Sequence, residues 1–229
     1  MMMYSLAVAI LAGLAAAAPL EVDKRQVIGT TANDLLNDRT CRSYYLIIAR
    51  ASGEPDNVGT TVGPALCSGL QSELGVSKIG CQGIGLAQGY TASLTDNIPT
   101  YDGGILTSPS AVIGATSIFN LAKSKCPNSK IVATGYSQGT AVLYNSIEKL
   151  SSTVQNQIVG VTLFGYTANS PNGGRIPNFP AAKTKVFCSD SLGPDGVCTA
   201  AEIDVNAAHL DYSSDYAAGV SFLRSAIGG

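Results

Sequence analysis

The chain has 229 residues, 45% of them hydrophobic and 13% charged, with a formal net charge of −2. That length and apolar content suit one α/β domain with a sizeable core and require no second one. Nearly balanced charge without clustered basic residues argues against nucleic acid as a partner.

From the N-terminus, Met1 to Leu20 is an apolar, alanine-rich stretch with Pro19 near its end, which reads as a secretory signal over 1–18. The run falls short of a comfortable bilayer span, so no stable membrane insertion is expected. Lys24-Arg25 reads as a dibasic processing site, giving a short propeptide over 19–25 and a mature domain over 26–229. Six cysteines (Cys41, Cys67, Cys81, Cys126, Cys188 and Cys198) all follow it, and an even count in an exported chain reads as disulfides. The close pairs Cys67 with Cys81 and Cys188 with Cys198 are the natural short loops, leaving Cys41 with Cys126. No metal is expected, because there is no C-x-x-C pair and one histidine is too few for most zinc sites.

Tyr44 to Ala49 is a continuous apolar run of strand length, as in a strand covered on both faces. A polar loop over 50–63 leads to a helix over 64–74, a short strand over 79–84 and a helix over 108–124. The central strand is expected over 130–134, followed by a helix over 138–150, strands over 159–164 and 184–187, and a closing helix over 214–226. The segment 167–182, dense in Pro, Asn and Gly, reads as loop. Strands alternating with helices imply a single-domain α/β fold, a parallel sheet with helices on both faces.

The chemistry concentrates in Gly135-Tyr136-Ser137-Gln138-Gly139, between the central strand and the helix after it. A G-x-S-x-G turn in that context is a nucleophile elbow, which lifts the serine hydroxyl clear of the sheet. Serine needs an adjacent base, oriented by a carboxylate. The base can only be His209, the one histidine of the chain. The candidate orienting acids are Asp190, Asp195, Asp204, Asp211 and Asp215, and Asp195, inside the Cys188–Cys198 loop, is the most rigidly held. Because His209 acts only when neutral, activity is expected to fall in acid. For the oxyanion, the elbow supplies the backbone N–H of Gln138, and the loop after the first strand offers Ser52.

With these residues in place, the chain resembles the fungal cutinases, small secreted serine esterases. The resemblance runs through Ile48-Ala49-Arg50-Ala51-Ser52, Cys126-Pro127, Ile131 to Gly139, Leu163 to Cys188, Asp195 to Thr199 and His209-Leu210. It implies Ser137 as nucleophile, His209 as base, Asp195 as its acid, Ser52 and Gln138 as the oxyanion hole, and the same three disulfides. It also implies a cofactor-free, extracellular monomer acting on a polyester such as cutin or on small esters. Hydrophobic loops would flank the site, with Leu94 and Ile98 on one side and Ile203, Val205 and Leu210 on the other, and Tyr136 beside the nucleophile. The chain departs from the family in Ser191-Leu192-Gly193-Pro194, which lengthens the Cys188–Cys198 loop, and in Ala51, where glycine is common. An acetylxylan esterase on the same fold is the alternative within the class. A non-catalytic secreted protein that binds cell wall or lipid is the alternative outside it.

Overall fold

A computed structural model of the chain describes residues 29–99, 105–199 and 204–228. The expected signal, propeptide, dibasic site and Ile203 lie outside these residues. In chain order the elements are α1 (Asp34–Asn37), β1 (Tyr44–Ala49), α2 (Val62–Leu74), β2 (Ile79–Gly83), β3 (Ile98–Pro99), β4 (Ile105–Leu106) and α3 (Pro109–Lys125). They continue with β5 (Lys130–Tyr136), α4 (Gln138–Ile147), α5 (Ser152–Gln157), β6 (Ile158–Phe164), α6 (Asn169–Asn172), β7 (Thr184–Phe187), α7 (Ala207–Leu210) and α8 (Tyr216–Gly228).

Five of the strands form one parallel sheet in the order β2-β1-β5-β6-β7. The β1 run is apolar throughout because successive side chains point to opposite faces and both faces are covered. Tyr45, Ile47 and Ala49 join a cluster with Ala115 and Phe119 of α3 and Leu143 of α4. Leu46 and Ile48 join another, with Leu66 and Leu70 of α2 and Val220 and Leu223 of α8. The single-domain α/β reading therefore holds, with helices on both sides of the sheet.

Strand order places the site. From β1 the chain passes through α2 to β2 on one side, then returns through α3 to β5 on the other side of β1. In open α/β sheets a crevice forms outside the carboxyl ends of the strands at such a reversal. Ala49 and Gly135 are register partners at those ends, so the loop bearing Ser52 and the turn bearing Ser137 start side by side.

Several expected boundaries shift. β5 runs to Tyr136, two residues beyond the expected end, and α4 stops at Ile147 rather than at 150. The expected loop 167–182 contains α6, and His209 stands on the short helix α7. Neither α1 nor α5 was expected: α5, Ser-Thr-Val-Gln-Asn-Gln, offers only Val154 for burial among its apolar residues and so shows no helical period. All three anticipated disulfides pair, Cys41 with Cys126, Cys67 with Cys81 and Cys188 with Cys198. Among the described residues no helix is long and apolar enough to cross a membrane.

Candidate active site

Ser137 sits between the end of β5 and the first residue of α4 with φ +51° and ψ −123°, a sparsely populated conformation costing about 1–3 kcal/mol. The turn is held by the Ser137 N–H, which donates to the Phe164 carbonyl at 2.9 Å. Its flanking glycines are obligatory for a steric reason. A Cβ on Gly139 would lie 2.0 Å from the Ala49 carbonyl oxygen, and one on Gly135 would lie 2.8 Å from the Gly139 carbonyl oxygen. No real side chain tolerates such approaches to backbone.

The imidazole of His209 spans two oxygens. Its Nδ1 lies 2.9 and 3.0 Å from the two carboxylate oxygens of Asp195, and its Nε2 lies 2.9 Å from Ser137 Oγ. A carboxylate only accepts, so Nδ1 carries the proton and donates it to Asp195, which leaves Nε2 to accept from the Ser137 hydroxyl. Both His209 and Asp195 are buried. Asp190, Asp204 and Asp211 are exposed and Asp215 is partly so, and none of them takes the imidazole. The structure thus brings together the three residues that the sequence singled out.

Supporting groups surround the imidazole. Asn206 caps α7 and its side chain accepts the His209 N–H at 3.1 Å. The Tyr136 hydroxyl donates to the His209 carbonyl at 2.8 Å, and its ring packs 5.7 Å from the imidazole. Behind the ring, Gly165 has φ +60°, and a Cβ there would stand 2.4 Å from His209 Cε1.

Asp195 accepts from four partners. Besides His209, the Tyr212 hydroxyl donates to Oδ2, and the N–H groups of Val197 and Cys198 donate to Oδ1 at 2.7 and 3.1 Å. Burial pushes this carboxyl up, but the hydrogen bonds from His209, Tyr212 and Cys198 outweigh it and hold the group below the usual carboxylate range. Burial and the adjoining Asp195 push the Tyr212 phenol up, which keeps it a protonated donor.

On the other side of Ser137, the Asn97 amide donates to Ser52 Oγ at 3.1 Å, leaving the Ser52 hydroxyl hydrogen free to point elsewhere. Gln138 is buried, and its side chain donates to Asn97 Oδ1 at 2.8 Å and to the Ser93 carbonyl at 2.9 Å. Its backbone N–H belongs to the first turn of α4, where no intrahelical acceptor exists. Two donors therefore flank the space above Ser137. A cleft of about 280 Å³ opens there, lined among others by Ser52, Tyr136, Ser137 and His209, with Leu94, Val205 and Leu210 at its sides. These three apolar side chains are exposed, as is Ile98, which does not line the cleft itself. Sequence reasoning missed Tyr212, Asn97 and Asn206. Of these, Asn206 carried a signal, an Asn three residues ahead of His209 in the N-cap position.

A parallel sheet with a strained serine turn at its switch point, facing an imidazole backed by a buried carboxylate, is the architecture of the α/β hydrolases, and it can carry acyl transfer from an ester. The chain belongs to the cutinase family, whose model matches residues 40–227. It is 44% identical to a protein named probable cutinase 3 from Neosartorya fischeri over the whole of both chains. It is 43% identical to cutinase 1 of Fusarium vanettenii, over 85% of this chain and 81% of that one. Among solved structures, a Trichoderma reesei cutinase in complex with a C11Y4 phosphonate inhibitor superposes with a TM-score of 0.71 at 30% identity, covering 88% of this chain and 82% of that one. An acetylxylan esterase shares the fold at a TM-score of 0.61 and 20% identity, covering 82% of this chain and all of its own.

Two outcomes follow from this packing. Gly165→Ala drives a methyl group into the imidazole, so kcat falls at least about 100-fold, as for a displaced catalytic group, while KM changes little; steady-state kinetics on p-nitrophenyl butyrate measure the split. A carboxyl whose pKa is depressed on folding contributes stability that is complete above its unfolded value of about 3.9 and is lost as pH falls through its folded value. Urea unfolding midpoints followed downward from pH 6 therefore decline more steeply below about pH 4 in the wild type than in Asp195→Asn. Parallel curves would show that Asp195 carries no such linkage.

Proposed function

We propose that the protein is a secreted serine esterase that hydrolyses carboxylic esters of cutin and of short- to medium-chain acyl groups. The reading rests on one observation above all, the unbroken hydrogen-bond series from Ser137 Oγ through the His209 ring to Asp195 at the floor of an open cleft.

In this reading the Ser137 hydroxyl adds to the ester carbonyl while His209 Nε2 takes its proton, and the carbonyl π electrons move onto oxygen. The N–H of Gln138 and the hydroxyl and N–H of Ser52 meet that oxyanion. As the C–O bond to the alcohol breaks, His209 returns the proton to the leaving oxygen. Water then repeats the addition on the acyl-enzyme, giving up its proton to His209, which returns it to Ser137 Oγ as the acyl C–O bond breaks and the acid leaves. Asp195 keeps the proton on Nδ1 throughout and stabilises the transient imidazolium.

The exposed apolar side chains of Leu94, Val205 and Leu210 favour an acyl chain over the acetyl group of a sugar polymer, because each gains by covering apolar surface. Three disulfides suit an oxidising, extracellular setting. A monomer is enough for this chemistry, since the nucleophile, base and acid come from one chain.

An alkyl phosphonate ester should add one covalent group at Ser137, seen by peptide mass spectrometry, and abolish turnover of p-nitrophenyl butyrate. Ser137→Ala should lose at least about 10,000-fold in kcat and take no label. Activity within about tenfold of wild type would mean another nucleophile. Absence of both labelling and turnover in the wild type would favour the non-catalytic binder.

A further inference from the structure

Two charged side chains hold the turn that carries Ser52, and neither takes part in proton transfer. Arg50 is buried at 5% exposure, and its guanidinium donates to main-chain carbonyls of three segments: Glu54 at 2.7 Å, Ile84 at 3.2 Å and Thr91 at 3.2 Å. It lies 5.0 Å over the ring of Tyr90, whose hydroxyl donates back to the Arg50 carbonyl at 2.7 Å. The Thr91 contact anchors the stretch that presents Asn97, and the Gly53 N–H, donating to the Ala92 carbonyl at 2.8 Å, joins the turn to the same stretch.

Glu54 grips the turn from its other side. Its carboxylate accepts the Ala51 N–H at 2.8 Å, the Thr60 and Thr61 N–H groups at 3.0 and 3.1 Å, and the Thr61 hydroxyl at 2.7 Å. The loop wraps so closely that a Cβ on Gly59 would sit 2.5 Å from the Glu54 carboxyl carbon. The side chain also lines the cleft. An anion in that wall opposes an oxyanion forming nearby, and its hydrogen bonds to the start of the 13-residue helix α2 disperse that charge.

From this geometry we propose that Glu54 is a positioning residue for ester hydrolysis. By accepting the N–H of Ala51 while holding Thr60 and Thr61, it sets the turn so that the Ser52 donors face the oxyanion. The proposal rests on the reading of Ser52 as an oxyanion donor. A glutamine at this position keeps the size of the side chain and one acceptor oxygen, enough for the Thr60 and Thr61 donors. Its NH2 would then face the Ala51 N–H, donor against donor, and the turn would be released on the Ser52 side only. Arg50 still holds the far side of the turn, so the fold persists.

The test is a double-mutant cycle of Glu54→Gln and Ser52→Ala on p-nitrophenyl butyrate, with kcat counted per phosphonate-titrated site so that any unfolded fraction drops out. Glu54→Gln should lower kcat at least about tenfold with KM changed less than about twofold, because the affected contact forms only in the transition state. In the Ser52→Ala background the same change should cost several-fold less than in the wild type, since only the backbone N–H of residue 52 is then left to misplace. A Glu54→Gln enzyme at wild-type kcat, or a loss carried in full into the Ser52→Ala background, would overturn the positioning role while leaving Ser52 its own. Ser52→Ala at wild-type kcat would overturn the reading of the Ser52 hydroxyl as an oxyanion donor, and the proposal with it.

Discussion

The site depends on one imidazole held between two oxygens, Asp195 on its Nδ1 side and Ser137 on its Nε2 side, each about one hydrogen bond away. No two of these groups share an element. Ser137 follows β5, Asp195 lies in the disulfide-closed loop after β7, and His209 stands on α7. A geometry fixed to tenths of an ångström must therefore be assembled from three separate anchors. The fold does this by aligning the strand ends: Tyr136 pairs with Phe164, and Phe164 with Phe187, so the turns after β5, β6 and β7 leave the sheet at one level. The glycine after Phe164 then makes room for the ring.

The arrangement is costly in isolation and stable only in context. A buried carboxylate without partners would be untenable, and Asp195 is tenable because Val197, Cys198, His209 and Tyr212 all donate to it. Backbone strain at Ser137 is likewise offset by its N–H bond to Phe164 and by the β-ladder on either side of β5. On the opposite wall, the Ser52 turn is held by buried Arg50 and by Glu54, so in the proposed reading the oxyanion donors are set before any substrate arrives. Donors already in place need no reorganisation as charge develops, which is where such sites gain most of their rate.

What the sequence disclosed and what it withheld divide along the range of the interactions. The elbow was readable because its motif is contiguous in the chain: the Gly135 clash lies within the turn itself, even though the Gly139 clash is with Ala49 of β1. The sheet was readable because strands covered on both faces are apolar throughout. Asp195 was one of five aspartates, favoured by its place in the disulfide-closed loop and fixed only by the family resemblance, since nothing within the loop states which carboxylate meets an imidazole 14 residues on. Tyr212, Asn97 and Glu54 carry no local mark of their roles. Their partners lie in other elements, or their meaning depends on where Ser52 and Gln138 come to rest. The missed helix α5 failed for the opposite reason, because too few of its residues are buried to print a period.

Because the chain has one histidine, its ring can be observed without assignment by labelling histidine with 15N and recording the imidazole resonances at neutral pH. The account predicts a single tautomer, with Nδ1 bearing the proton bonded to Asp195 and Nε2 bare, and predicts that Asp195→Asn disrupts that preference. An Nε2-protonated ring, or the averaged tautomers of a free imidazole in the wild type, would contradict it.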